Sequence, residues 1–201
     1  MGQLTAINEN DLRRLQEQIA MGNERSFRQL FDLFAEKLSC FAFAIIKTKD
    51  GATEVVDEVF VKIWKQRATV TDIAYLKTYL YTSVKNASLN YLSRKANDQI
   101  TEPFDFINIQ LQEEQCPDEQ MITADILKKI QEAVNELPPR CKIIFKLVRE
   151  DGLKYKEVAD ILNLSVNTID AQMVIAVKKI SEKVKGHFEF FPAMPSKKNN
   201  Q

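Results

Sequence analysis

The chain has 201 residues, 45% of them hydrophobic, with 28 Lys and Arg balanced by 28 Asp and Glu. That length allows one domain or two small ones, and the apolar fraction is enough for real cores. No stretch of about 18 uncharged residues exists, and Asn8, Glu9, Asn10, Asp11, Arg13 and Arg14 interrupt the first apolar run, so neither a membrane span nor a leader is expected.

The zero net charge conceals an asymmetry. Residues 1–96 carry 14 basic against 11 acidic side chains, a net +3. Residues 97–121 carry no basic and 7 acidic ones, and residues 122–201 carry 14 against 10, a net +4. Two mildly basic bodies joined by an acidic segment are therefore expected. The cysteines, Cys40, Cys116 and Cys141, are odd in number and form no CxxC, and His187 is the only histidine. Neither a disulfide framework nor a zinc site is expected, and a reducing cytoplasm fits. Cys40 and Cys141 fall among apolar helix positions, where small core thiols belong.

Helix formers dominate and strand-like alternation is scarce, which predicts an all-α protein. A first helix is expected over Asp11 to Met21, capped by Asn10 and stopped by Gly22. Ser26 opens a second, with Phe27, Leu30, Phe31, Phe34, Leu38, Phe41 and Ile45 on one stripe. Lys47 to Gly51 reads as a turn, and a third helix as Thr53 to Gln66. A fourth runs from Ala74 to Lys95, with Leu76, Leu80, Val84 and Leu92 facing inward. Pro103 and Pro117 forbid a continuous helix through the acidic segment 97–121, which reads as a linker, although Phe104, Phe106, Ile107, Ile109 and Leu111 make it more apolar than a solvated tether. Helices resume over Thr123 to Glu136 and Arg140 to Glu150, separated by Leu137-Pro138-Pro139. The tail beyond Lys185 is polar and punctuated by proline.

Residues 153–180, LKYKEVADILNLSVNTIDAQMVIAVKKI, have the spacing of a helix-turn-helix. Ala159 is small where a second helix must cross. Val158, Leu162, Leu164 and Ile169 are the apolar pegs, and Asn163 fills the turn position that needs φ > 0. Ser165 is placed to cap the second helix. That helix would present Val166, Asn167, Asp170, Ala171 and Gln172 from its first turns, where a recognition helix meets base edges in the major groove.

The fourth helix has no acidic residue between Ile73 and Ala96. It carries Lys77, Lys85, Arg94 and Lys95, with Asn86, Ser88, Asn90 and Ser93 as polar readers and Tyr75, Tyr79, Tyr81 and Tyr91 interleaved. Cations hold phosphates and aromatics stack on unpaired bases, so this face suits melted DNA; the competing reading packs the tyrosines into the core. On the third helix, Glu54, Asp57, Glu58 and exposed parts of Phe60 and Trp64 would suit a basic protein partner, against the simpler reading of a core helix with a Glu58–Lys62 pair. Enzyme signatures are lacking: there is no Gly-rich phosphate loop, no nucleophile elbow and no metal-ligand cluster.

Taken in order, AMGNERSFRQLFDLFAEKL, ATEVVDEVFVKIW, LKTYLYTSVKNASLNYLSRK and LPPRCKIIFKLVREDGLKYKEVADILNLSVNTIDAQM closely resemble an extracytoplasmic-function (ECF) sigma factor of bacterial RNA polymerase, over about residues 15–182. The resemblance implies sigma domain two at 1–96, an acidic linker at 97–121, sigma domain four at 122–185 and a tail at 186–201. It implies core RNA polymerase and promoter DNA as partners, with no cofactor, metal or small-molecule substrate; the family commonly adds an anti-sigma partner. Asp57, Glu58, Phe60 and Trp64 match the surface that docks on the polymerase β′ clamp. Tyr79, Lys85, Asn86, Asn90 and Arg94 match positions that read and melt the minus-ten element. Ser165, Val166, Asn167, Thr168, Asp170, Ala171, Gln172 and Lys178 would bind the minus-thirty-five duplex. The linker would run through the polymerase channels, mimicking nucleic acid by its charge.

This chain departs from the family pattern in several places. Asp57 stands where Gln is frequent and Tyr79 where Trp is frequent. Ile175 replaces a common Arg, and Ala171 and Gln172 replace basic or His residues, so the recognition helix has no cation before Lys178 and Lys179. Upstream binding should therefore depend weakly on salt and rely on domain two and the polymerase. The alternative is a stand-alone helix-turn-helix regulator with residues 1–96 as an effector or dimerisation domain, which would favour palindromic sites.

Overall fold

The computed structural model describes residues 8–96 and 125–185, and all regular structure among them is helical. The elements are α1 (Glu9–Ala20), α2 (Glu24–Ile46), α3 (Lys49–Lys65), a 3-10 segment (Arg67–Asp72), α4 (Leu76–Ala96), α5 (Asp125–Asn135), α6 (Pro139–Arg149), α7 (Tyr155–Leu162) and α8 (Val166–Lys185). The all-α expectation holds. The acidic segment 97–121 and the tail 186–201 lie outside the described residues.

Local chemistry sets the helix ends, with small shifts from expectation. Asn8, not Asn10, caps α1: its backbone is extended and its side chain accepts the Asp11 N–H at 2.8 Å. Gly22, at φ +83°, turns the chain out of that helix. Asn23 caps α2 by accepting the Ser26 N–H at 3.1 Å, while the Ser26 hydroxyl bonds the Gln18 side chain. The third helix begins at Lys49, so the expected turn through Gly51 is helical. The 3-10 segment was not legible in the apolar spacing. It is held by α1, whose Gln16 amide donates to the carbonyls of Val70 (2.7 Å) and Ile73 (2.9 Å).

The α2 stripe is buried at Leu30, Phe34, Leu38, Phe41 and Ile45. It shares a core with Val55, Val56, Val59, Phe60 and Ile63 of α3 and with Leu76, Leu80, Tyr81 and Val84 of α4. Each such side chain contributes about 1.5–3 kcal/mol by leaving water. A smaller cluster, Val134, Leu137, Cys141 and Ala176, ties α5 and α6 to α8. Cys141 is a buried free thiol whose Sγ donates to the Gln172 carbonyl at 3.1 Å. Cys40 is half-buried on α2, so Cys141 fits the core-thiol expectation more closely.

The charge pattern predicts two bodies, yet their buried residues are continuous. Ile143, Ile144 and Leu147 of α6, Leu153, and Val158, Ile161 and Leu162 of α7 belong to the same cluster as Leu80, Tyr81 and Val84. Helix α7 packs directly on α4.

Candidate nucleic-acid and polymerase interfaces

Helices α7 and α8 meet across the turn read from the sequence. Asn163 adopts the left-handed conformation at φ 54° and ends α7, with its N–H bonded to the Ala159 carbonyl. The Leu164 N–H bonds the same carbonyl at 2.9 Å. Ser165 caps α8: its Oγ accepts the Thr168 N–H at 3.0 Å and lies 2.8 Å from the Thr168 hydroxyl. Val158, Ala159, Leu162 and Ile169 are buried between the helices and Leu164 is packed against them. This arrangement leaves Ser165, Val166, Asn167, Asp170 and Ala171 exposed in one group at the start of α8, with Thr168 and Gln172 half-buried beside them.

Farther along α8 the exposed surface is apolar. Val174 is 61% exposed, and Ile175 and Val177 are also open to solvent. Lys178, the first cation on this helix, lies within 4.0 Å of Glu182, which partly offsets its charge. The structure thus places the expected upstream readers together and keeps the helix poor in free positive charge.

On α4 the candidate residues divide. At about 100° per residue, Tyr79, Asn86, Asn90 and Arg94 fall within an arc of about 80°. Asn86, Asn90 and Arg94 are exposed and Tyr79 is half-buried. Lys85 lies about 100° outside that arc and is only 4% exposed, with burial lowering its ammonium pKa. It is therefore withdrawn from the reading face in this arrangement. Of the tyrosines, Tyr75 is 66% exposed, whereas Tyr81 is fully buried and edge-on to Phe41 at 5.4 Å. The core reading is the right one for Tyr81. Tyr91 is half-buried with the Lys95 ammonium 4.7 Å from its ring.

On α3, Asp57 and Glu58 are exposed as expected, but Phe60 is 2% exposed and edge-on to Phe27 and Phe31. Phe60 is a core residue and presents nothing to a partner, because its register turns it toward α2. Trp64 is half-buried, 4.9 Å from Phe27 and covered by the Arg67 guanidinium at 5.1 Å. The exposed apolar residue on this helix is Val61, at 51%. It follows Asp57 and Glu58 at four- and three-residue spacing, a signal the reading of the aromatics passed over. Glu58 does not pair with Lys62; its carboxylate lies 4.0 Å from Arg94 and links the two candidate faces.

Comparison with known proteins points to one family. Family models described as "Sigma-70 region 2" and "Sigma-70, region 4" match residues 30–97 and 127–180. The chain is 23% identical over 178 residues to the ECF RNA polymerase sigma-E factor of Haemophilus influenzae, covering 85% of this chain and 93% of that protein. It is 23% identical over 177 residues to the factor of the same name in Escherichia coli K12, covering 85% and 92%. Two solved structures share the fold. One is CnrH in complex with the cytosolic domain of CnrY (TM-score 0.51, 19% identity, covering 87% of this chain and 97% of that one). The other is RpoE from Bartonella quintana with the anti-sigma factor NepR (TM-score 0.50, 20% identity, covering 81% and 99%). With both sigma-70 regions matched in order, and with relatives of the same name along nearly its whole length, this chain belongs to the ECF sigma factors.

Proposed function

We propose that this alternative sigma factor, which directs promoter recognition and transcription initiation, divides its work among three helices. The exposed α3 face, Asp57 and Glu58 with Val61 and the edge of Trp64, binds core RNA polymerase. The Tyr79, Asn86, Asn90 and Arg94 face of α4 reads and helps open the minus-ten element. The start of α8, Ser165 to Gln172, binds the minus-thirty-five duplex. Residues 1–96 and 122–185 are the two working domains, 97–121 the connection and 186–201 a tail.

The observation that carries this reading is the capped helix-turn-helix sharing one chain with a basic, acid-free α4 on which exposed Asn86, Asn90 and Arg94 fall on one face. Work on DNA places the protein in the cytoplasm. No described helix is long and apolar enough to cross a membrane. The solved complexes of CnrH with CnrY and of RpoE with NepR support an anti-sigma partner for this chain as well. Recognition and strand separation are the mechanism. Unstacking a base costs a few kcal/mol, which polymerase binding helps to supply. The test is transcription by core polymerase on mapped promoters with and without this protein. Initiation that depends on both elements is expected; palindromic binding with no need for polymerase would favour a stand-alone regulator.

A further inference from the structure

We propose that the segment following α8, residues 186–198, docks back on an apolar groove of that helix and carries Lys197 and Lys198 to the phosphates beside the minus-thirty-five duplex. The DNA half of the proposal rests on the reading of α8 given above. The groove lies between the start of α7 and the second half of α8, measures about 400 Å³ and is lined by Tyr155, Met173, Val174, Val177, Lys178 and Ser181. Val174 is 61% exposed and Val177 47%, whereas Met173 at the groove's edge is buried. At about 100° per residue, Val174, Val177, Ser181 and the end of the helix at Lys185 fall within an arc of about 80°. Asn167 and Asp170 of the reading face share that arc. Val174 and Val177 therefore form a strip that continues the reading face, unlike the scattered apolar residues any surface carries.

The sequence directly beyond Lys185 supplies an occupant for this strip: Gly186-His187-Phe188-Glu189-Phe190-Phe191-Pro192. Gly186 stands just past the helix, where a glycine permits the left-handed backbone that turns a chain back. Phe188 and Phe190 are two residues apart, so on an extended chain they face the same way, about 6.8 Å from each other. Val177 and Ser181 are about 6 Å apart along the helix, a matching step. Val174 is about 16 Å from the helix end. Five extended residues, Lys185 to Phe190, span about 17 Å. Phe188 thus reaches Val177 and Ser181, and Phe190 reaches Val174. Glu189 between them complements Lys178 on the rim. Because the segment is tethered at the face it covers, it acts at about millimolar effective concentration and outcompetes a free partner of similar affinity.

The same segment supplies what the recognition helix lacks. Helix α8 has no cation before Lys178, and Lys178 lies 4.0 Å from Glu182. Lys197 and Lys198 follow Phe190 by seven and eight residues, with Pro192 and Pro195 between. Proline favours an extended path, and at about 3.1 Å per residue that stretch spans about 22–25 Å. With Phe190 held at Val174, the start of α8 at Val166 is only about 12 Å away. Both lysines therefore reach the phosphates flanking the DNA groove that α8 enters. Uncharged side chains of α8 then read base edges, and the docked segment grips the backbone.

Two measurements on the full chain test the proposal. Ser181→Cys puts a thiol in the groove and leaves Val174 and Val177 in place; its labelling by a thiol reagent is followed site by site by mass spectrometry. Labelling at least about fivefold slower is expected than in the same chain with Phe188→Ser and Phe190→Ser. Equal rates overturn the docking. So does a slowing seen only at high protein concentration, which gives the groove to a second copy, or only with core polymerase, which gives it to the polymerase. In a salt titration on an upstream duplex, the parent's slope should be steeper by about 1.8 than that of Lys197→Ala/Lys198→Ala, at about 0.9 per phosphate contact. The Phe188→Ser/Phe190→Ser chain should lose the same increment. Unchanged slopes, or a loss with the lysine pair alone, overturn delivery by the docked segment. If the parent binds no upstream duplex, the reading of α8 falls and the phosphate contact with it, while the thiol rates still decide the docking.

Discussion

Tyr91 of α4 lies so close over Gly51 of α3 that a Cβ on Gly51 would stand 2.8 Å from the ring's Cζ and from its hydroxyl, and 2.8 Å from the Thr48 Oγ1. Glycine inside a helix ordinarily costs about 1 kcal/mol relative to alanine. Here it makes room for the crossing of α3 and α4, which carry the polymerase-facing and minus-ten-facing candidates. Gly51→Ala should therefore lose about 1 kcal/mol in a denaturant melt, because overpacking costs about 1–3 kcal/mol and outweighs the helix gain. Adding Tyr91→Ala should remove much of the penalty. A single Gly51→Ala variant more stable than the parent would refute this account of the crossing.

The α3 surface separates contact from folding. Val61 is exposed, so Val61→Asp should leave the melting temperature nearly unchanged while weakening capture of core polymerase by at least about tenfold, or about 1.4 kcal/mol. Phe60→Ala should instead cost about 3–5 kcal/mol of stability, since it empties a site among Phe27 and Phe31. Trp64→Ala should do some of each. Undiminished capture by the Val61 variant would move the docking surface off this face.

Upstream recognition should be specific but weakly gripped. Asn167→Ala should change the preferred minus-thirty-five sequence, at about 1–3 kcal/mol for a lost bidentate base contact. Gln172→Ala should do so less cleanly, because that residue is half-buried. A salt titration of the full chain on an upstream duplex should give a shallow slope, since α8 has no cation before Lys178 and that one lies near Glu182. A steep slope would mean phosphate contacts from elsewhere.

Stability should fall as pH rises toward neutrality, through Asp151. Burial raises the Asp151 carboxyl from 3.8 to about 6, against the opposing pull of Tyr81, Lys37 and Lys77, while Glu150 adds to the rise. The folded chain therefore binds this proton more tightly than the unfolded one. The stability it contributes is complete below about pH 4 and is lost as pH rises through about 6, by at most about 3 kcal/mol. Lys77, whose pKa is lowered chiefly by burial, acts in the opposite sense at alkaline pH; Asp151 and Glu157 moderate that shift and Lys37 adds to it. Denaturant melts at pH 5 and pH 7.5 should show the loss, and Asp151→Asn should flatten it. An Asp151→Asn variant with the parent's full pH dependence would remove this carboxyl from the account.

Local rules account for what the sequence by itself determined. The α2 stripe, the Asn163 turn and the Ser165 cap follow from spacing, φ preference and side-chain reach over a few residues, and the structure has all three. The family order was legible for the same reason, since its motifs are local patterns in series. Tertiary structure alone decided which sides of those helices face water. Phe60 and Tyr81 are aromatic on helices that carry exposed sites, and only the packing of α2 against α3 and α4 assigns them to the core. Lys85 reads as a phosphate contact until the register of α4 turns it inward. The charge pattern separates two halves, but burial joins them, because apolar surface on α4, α6 and α7 gains more by leaving water together than a weak net charge of one sign on each half can oppose.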